Sequence, residues 1–303
     1  MEDCRQVRMR HAILGVGGVG GLIAAALARC GEEVTLVLRP ECIDSYPEQL
    51  QVSSCFGDMC YSLPRCVLID TQVDCLWITT KSTQLNEALR RLAPRSELAA
   101  VIPLLNGVDH IPFLRQRFGT ETVIPATIEV ESERTAPGII RHLSPFARLN
   151  LAASGRQRLE ALLVRLAQVG FQYRFFDNEA MLLWSKLVFL GPLALTTAAS
   201  GLNAGEVMSD AHWQKMLSEC VDEYCRAGNA AGADLEEKKV LNVLASVPRD
   251  LRTSMQKDVA AGQVPEIDAI AGPVIRAAEA HDFSAAATRE MISLIQRSMI
   301  EHV

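Results

Sequence analysis

The stretch His11-Ala-Ile-Leu-Gly15-Val-Gly17-Gly-Val-Gly20, continuing Gly-Leu-Ile-Ala-Ala-Ala-Leu-Ala-Arg-Cys30, decides how the chain is read. His11–Leu14 has the apolar character of a short buried strand. Val19–Cys30 is rich in small apolar residues, suits a helix lying close on a sheet, and is stopped by Gly31. Between them Gly15, Val16, Gly17, Gly18, Val19 and Gly20 spell G-x-G-x-x-G. The first glycine permits a tight turn, the second lets a pyrophosphate approach the backbone, and the third lets helix and strand pack closely. The helix N-terminus then offers N–H donors to the anion. Directly after a strand and opening a helix, the motif predicts a bound dinucleotide.

Working outward, Val34–Leu38 reads as the second strand and runs into Arg39. An NAD site places a carboxylate there for the ribose hydroxyls, whereas a guanidinium suits a 2′-phosphate, so the reading is NADP. Cys75–Thr79 and Ala100–Leu104 read as further buried strands, leading through Thr80 to Lys81 and through Leu105 to Asn106-Gly107. Open α/β sheets bind ligands at the carboxyl ends of their strands. Four such ends therefore offer the glycine loop, Arg39, Lys81 and Asn106. Another strand is expected around Thr122–Ile128, and Gly138–His142 followed by Arg148–Leu151 resembles a hairpin. From Asn178 onward strand signals stop and helical periodicity takes over. The expected architecture is an α/β N-terminal Rossmann-like dinucleotide-binding domain, residues 1–177, followed by an all-α C-terminal substrate domain, residues 178–303.

A chain of 303 residues can bury a core in each of two such domains. A net charge of −6 without a basic block argues against nucleic acid as a partner. The nine cysteines, Cys4, Cys30, Cys42, Cys55, Cys60, Cys66, Cys75, Cys220 and Cys225, are scattered and odd in number, which suits a reducing cytoplasm. None has zinc-site spacing, so no metal is expected. The apolar run Ala180–Leu202 is long enough to raise a membrane span. It carries a lysine, a Gly191-Pro192 pair and several hydroxyls, and lacks basic flanks, so a buried core helix is the better reading.

Lys186 is the one charged residue between Glu179 and Glu206. An ammonium in apolar surroundings is either snorkelling at a helix edge or a placed proton donor. The residues alone leave both open.

The chain resembles the ketopantoate reductase family (2-dehydropantoate 2-reductases) nearly end to end. The likeness runs through the Gly15–Gly21 loop, Arg39, Thr80-Lys81, Leu105-Asn-Gly107, Trp184-Ser-Lys-Leu187, Ser254-Met-Gln-Lys-Asp258 and Glu266-Ile-Asp268. By this resemblance Lys186 is the catalytic general acid, and Asn106, Ser254 and Glu266 lie around the nicotinamide and the substrate. Arg39 and Lys81 hold the phosphate side of NADP. Ser254 is suited to hydrogen-bonding a substrate carboxylate, and Glu266 to keeping the ammonium charged. The expected reaction is NADPH-dependent reduction of a 2-oxo acid, 2-dehydropantoate to pantoate in pantothenate biosynthesis. The expected assembly is a homodimer.

Two positions and one segment depart from the family. Asparagine usually follows the lysine by one helical turn, and often again a turn later, where this chain has Leu190 and Ala194. Glu129-Val-Glu-Ser-Glu133 stands where the family has small residues. The two missing amides favour a more apolar 2-oxo acid. A non-catalytic dinucleotide sensor is the alternative from another class, and Lys186 and Glu266 argue against it.

Overall fold

A computed structural model describes residues 8–94 and 96–301. Cys4 lies outside the described residues; the other eight cysteines are free thiols. Contacts divide the chain into two units. One runs to Leu105 and resumes over His110–Asp177; the other comprises Asn106–Asp109 and everything from Asn178 onward. A tetrapeptide from inside the first span thus goes with the second unit.

The first unit begins β1 (Arg10–Leu14), α1 (Gly18–Arg29), β2 (Glu33–Val37), β3 (Gln49–Ser53), β4 (Met59–Ser62), β5 (Arg65–Cys66) and β6 (Val73–Ile78). It continues α2 (Leu85–Ala88), β7 (Leu98–Pro103), α3 (His110–Phe118), β8 (Ala126–Glu129), β9 (Ser132–Ala136), β10 (Ile139–His142), β11 (Ala147–Ala152), α4 (Arg156–Gln168) and β12 (Phe171–Phe176). A five-stranded parallel sheet in the order β5-β2-β1-β6-β7 is its centre. Alternating side chains enter different cores. Ile13, Leu36, Trp77 and Ile102 face one apolar cluster, and Leu14, Val37, Ile78 and Val101 face another. Burial on both faces is why these strands read as continuous apolar runs.

The expected hairpin between 138–142 and 148–151 does not form. β10 pairs with β9 and β3, while β11 pairs with β8 and β12 in a different sheet. The connection turns at His142, whose ring is gripped by Ser54 Oγ at 2.9 Å, Ser144 Oγ at 3.2 Å and the Phe146 carbonyl at 3.1 Å. The true partner, β9, reads Ser-Glu-Arg-Thr-Ala and carries no apolar alternation to announce it.

Beneath the sheet, Glu32 is almost wholly buried at its side chain. It accepts the Met9 N–H at 2.7 Å and pairs with Arg165, while His11 Nε2 lies 3.6 Å away. Trp77 donates its indole N–H to His11 Nδ1 at 3.1 Å, which leaves the ring proton facing the carboxylate. Burial opposes ionisation of Glu32, but His11, Met9 and Arg165 outweigh it and hold the carboxyl down at about 2. A depressed carboxylate stabilises the fold above its ordinary value of 4.5, and that contribution is lost as pH falls toward about 2. Glu32→Gln is therefore expected to lower stability at neutral pH by on the order of 3 kcal/mol. In calorimetry at a series of pH values, the gap to the unmodified protein should close through that acid window. A gap of equal size throughout would contradict the assignment.

The second unit is helical: α5 (Glu179–Ser200), α6 (Ala204–Ser209), α7 (Ala211–Ala230), α8 (Glu237–Leu244), α9 (Ser254–Ala260), α10 (Ile267–His281) and α11 (Ala286–Glu301). Asn178 caps α5 by accepting the Met181 N–H at 3.0 Å, and Gly201, with φ of 73°, ends it. The helix runs through Pro192, and α7, α9 and α11 pack against it. It is long and apolar enough to cross a membrane, yet 67% of its apolar window is buried, as a core helix requires. Buried Glu223 of α7 accepts the Ala287 and Thr288 N–H groups, both at 2.9 Å, and so caps the first turn of α11.

Candidate active site

The first unit gathers its polar strand ends at one edge. In the sheet register Leu14 stands beside Val37 and Ile78, so the residues that follow all three strands emerge together. β1 opens into Gly15, whose φ of +104° and approach to Thr80 leave no room for a side chain. Thr79 fastens the loop by donating its hydroxyl to the Gly15 carbonyl at 2.6 Å. Ser132, inside the acidic segment, donates to the Gly18 carbonyl at 2.9 Å. Neither contact is visible in a glycine motif. The Val16 side chain is buried in the core and Val19 packs against it, so toward a ligand these two offer backbone only.

The loop fits a dinucleotide. Gly17 is the N-cap of α1, and no side chain caps that end. A Cβ built on Gly17 would meet nothing within 4 Å, so the approach to the helix N-terminus is open. Uncapped first-turn N–H groups with clear space before them are what a pyrophosphate requires. Lys81 stands at the N-cap position of the short turn after β6, and its side chain makes no cap hydrogen bond there. Arg39 follows β2, half exposed, with Nε 3.3 Å from Glu41.

The second unit holds a different set. Lys186, on α5, donates from Nζ to Asn106 Oδ1 at 3.0 Å. Asn106 donates from Nδ2 to Glu266 Oε2 at 3.2 Å. The amide cannot be reversed: an ammonium only donates and a carboxylate only accepts, so each neighbour fixes one end. All three side chains belong to partly buried residues. The apolar setting makes a hydrogen-bonded lysine far cheaper than a solitary one.

Ser254 does not join this group. It is exposed at the first position of α9, where the neighbouring Thr253 supplies the cap. Thr253 also bonds Thr197 Oγ1 at 2.9 Å, which ties α9 to α5. Leu190, one turn beyond Lys186, is half-buried and stays out of the helical core, whereas Ala194 is buried within it. The departure at Ala194 therefore concerns packing, whereas Leu190 is left outside that core.

Two family models match the chain, "Ketopantoate reductase PanE/ApbA" over residues 11–155 and its C-terminal counterpart over residues 180–298. The 2-dehydropantoate 2-reductase of Caulobacter vibrioides is 25% identical over 95% of this chain and 99% of its own length. That of Halobacterium salinarum is 24% identical over 95% and 98%. Among solved structures, D-mandelate dehydrogenase with NADH and anilino(oxo)acetate has a TM-score of 0.85 at 20% identity, covering 97% of this chain and 99% of that one. A PanE/ApbA family ketopantoate reductase from Ralstonia eutropha has a TM-score of 0.84 at 24% identity, with the same coverage of 97% and 99%. At those identities the structural likeness speaks to the fold. The protein is an oxidoreductase of the class acting on CH–OH groups. It belongs to the ketopantoate reductase PanE/ApbA family.

Proposed function

We propose that the protein reduces a 2-oxo acid to the 2-hydroxy acid with NADPH, 2-dehydropantoate being the first candidate substrate. The observation that carries this reading is the Asn106 amide joined to both Lys186 and Glu266. The bound cofactor supplies a hydride to the carbonyl carbon. Lys186 answers the negative charge that then grows on the carbonyl oxygen, first as a cation and then by giving up a proton from Nζ. One ammonium hydrogen is committed to Asn106, which orients the others. Glu266 holds the amide so that its oxygen faces the lysine, and its charge favours the ammonium form. Solvent returns the proton once the alcohol has left. Ser254, exposed at the start of α9, suits a substrate carboxylate. Gly15–Gly20, Arg39 and Lys81 serve the dinucleotide phosphates.

The test is NADPH oxidation against a panel of 2-oxo acids, 2-dehydropantoate and branched or aromatic apolar ones included. Turnover of none would sink the reading and leave a dinucleotide sensor. Light scattering tests the homodimer.

A second reading, reduction of a more apolar 2-oxo acid, is favoured by Leu190. Residues at i and i+4 share a helix face, so Leu190 lies on the Lys186 side of α5 without being claimed by the core. A substrate hydroxyl desolvated there without a partner costs about 1–3 kcal/mol. Leu190→Asn is accordingly expected to raise kcat/KM for 2-dehydropantoate, relative to a branched apolar 2-oxo acid, by about tenfold. An unchanged ratio would remove Leu190 from the specificity argument.

A further inference from the structure

Asn106 is useful only if its backbone is fixed, and the loop that carries it is fastened to α10. Gly107, at φ +84°, brings the loop so close that a Cβ there would lie 2.2 Å from the Ala269 carbonyl oxygen. Asp109, two residues on, pairs with Arg276 Nη2, and the other arm of the same guanidinium, Nη1, reaches Asp268 Oδ1 at 3.0 Å. Asp268 is in the first turn of α10, beside the Glu266 N-cap. Asp268, Gly272 and Arg276 form one stripe along that helix. Gly272 keeps the stripe clear: a Cβ there would come within 2.5 Å of Asp268 Oδ1 and 2.4 Å of Arg276 Nη2.

We propose that Arg276 is a positioning residue, clamping the Asn106–Asp109 loop to α10 and thereby setting the Asn106 amide between Lys186 and Glu266. The fork of a guanidinium can hold two carboxylates at fixed separation, which an ammonium cannot. Energetic scale separates this role from a merely structural one. Arg276 and Asp109 are each 50% exposed, and exposed pairs contribute about 0.2–1 kcal/mol to stability. A shift of about 1 Å at a group that must meet a reacting atom can cost on the order of 10²-fold in rate. The clamp should thus be nearly silent in melting and plain in turnover.

The inference rests on Lys186 acting as the acid, so Lys186→Ala is measured alongside. Arg276→Gln and Asp109→Asn are each expected to lower kcat about tenfold while NADPH affinity and melting temperature hold. The double variant should be no slower than Arg276→Gln, because one clamp is lost only once. Arg276→Lys, able to hold one carboxylate at a time, should recover part of the loss. If Arg276→Gln fails to fold, Asp109→Asn carries the same test at an exposed loop residue. Near-normal kcat in Arg276→Gln or Asp109→Asn, with Lys186→Ala inactive, overturns the clamp and leaves the mechanism standing. An active Lys186→Ala overturns both.

Discussion

Lys186→Ala is expected to lower kcat on the best 2-oxo acid by about 10²–10⁴-fold, the range typical of a lost positioned proton donor. Loss of the ammonium's charge at the developing alkoxide can deepen the effect. NADPH affinity should barely move. The groups read as phosphate-holding, the Gly15–Gly20 loop, Arg39 and Lys81, all belong to the first unit, and Lys186 belongs to the second. Fluorescence titration with NADPH and steady-state rates on the same preparation separate the two quantities. Glu266→Gln is expected to be milder, since the amide keeps a hydrogen-bonding group toward Asn106 and loses only the countercharge. Near-normal kcat in Lys186→Ala would make the lysine a packing residue and require another acid.

The second large effect is expected at Arg39. Its present partner is Glu41, and both side chains are more than half exposed. Such a pair is worth about 0.2–1 kcal/mol, whereas a charge-assisted bond to a phosphate contributes about 1.5–3 kcal/mol, so a 2′-phosphate arriving at Arg39 would displace Glu41. Arg39→Ala should therefore cut the preference for NADPH over NADH by about tenfold or more. Affinity for NADH, measured in the same titration series, should change little. Equal affinity for the two cofactors in the unmodified protein would refute the assignment of Arg39.

The strands of the parallel sheet were legible because both their faces are buried, which writes an unbroken apolar run ending sharply at Arg39 or Lys81. The same physics hid β9 and misplaced the partner of β10. β9 is charged and has no buried residue, so its pairing is set by the turn at Gly138 and by what holds His142. At the candidate site, Lys186 drew notice as a lone charge in an apolar run and Asn106 as a polar strand end, and Glu266 came from the resemblance, but the hydrogen bonds that join the three did not show in the sequence. Asn106 follows a strand of the first unit, and its loop is drawn to α10 by Gly107 and by the Asp109–Arg276 pair. Those are contacts between distant segments that carry no local pattern. Ser254 was named by resemblance alone; it is an exposed first-turn residue of α9 outside the hydrogen-bonded group, with no local pattern to mark it.

The placement of Asn106–Asp109 with the second unit has a consequence for exchange between relatives. A graft of the helical half at Asn178 would import a new lysine and a new glutamate but retain the old amide. It would also retain one carboxylate of the Arg276 fork, Asp109, and lose the other. Recombination at the obvious junction would therefore assemble the Lys186–Asn106–Glu266 group from two lineages. Inheritance of this site is all or nothing only when the tetrapeptide crosses with the helical half, so Asn-Gly-Val-Asp should travel with the helices it serves.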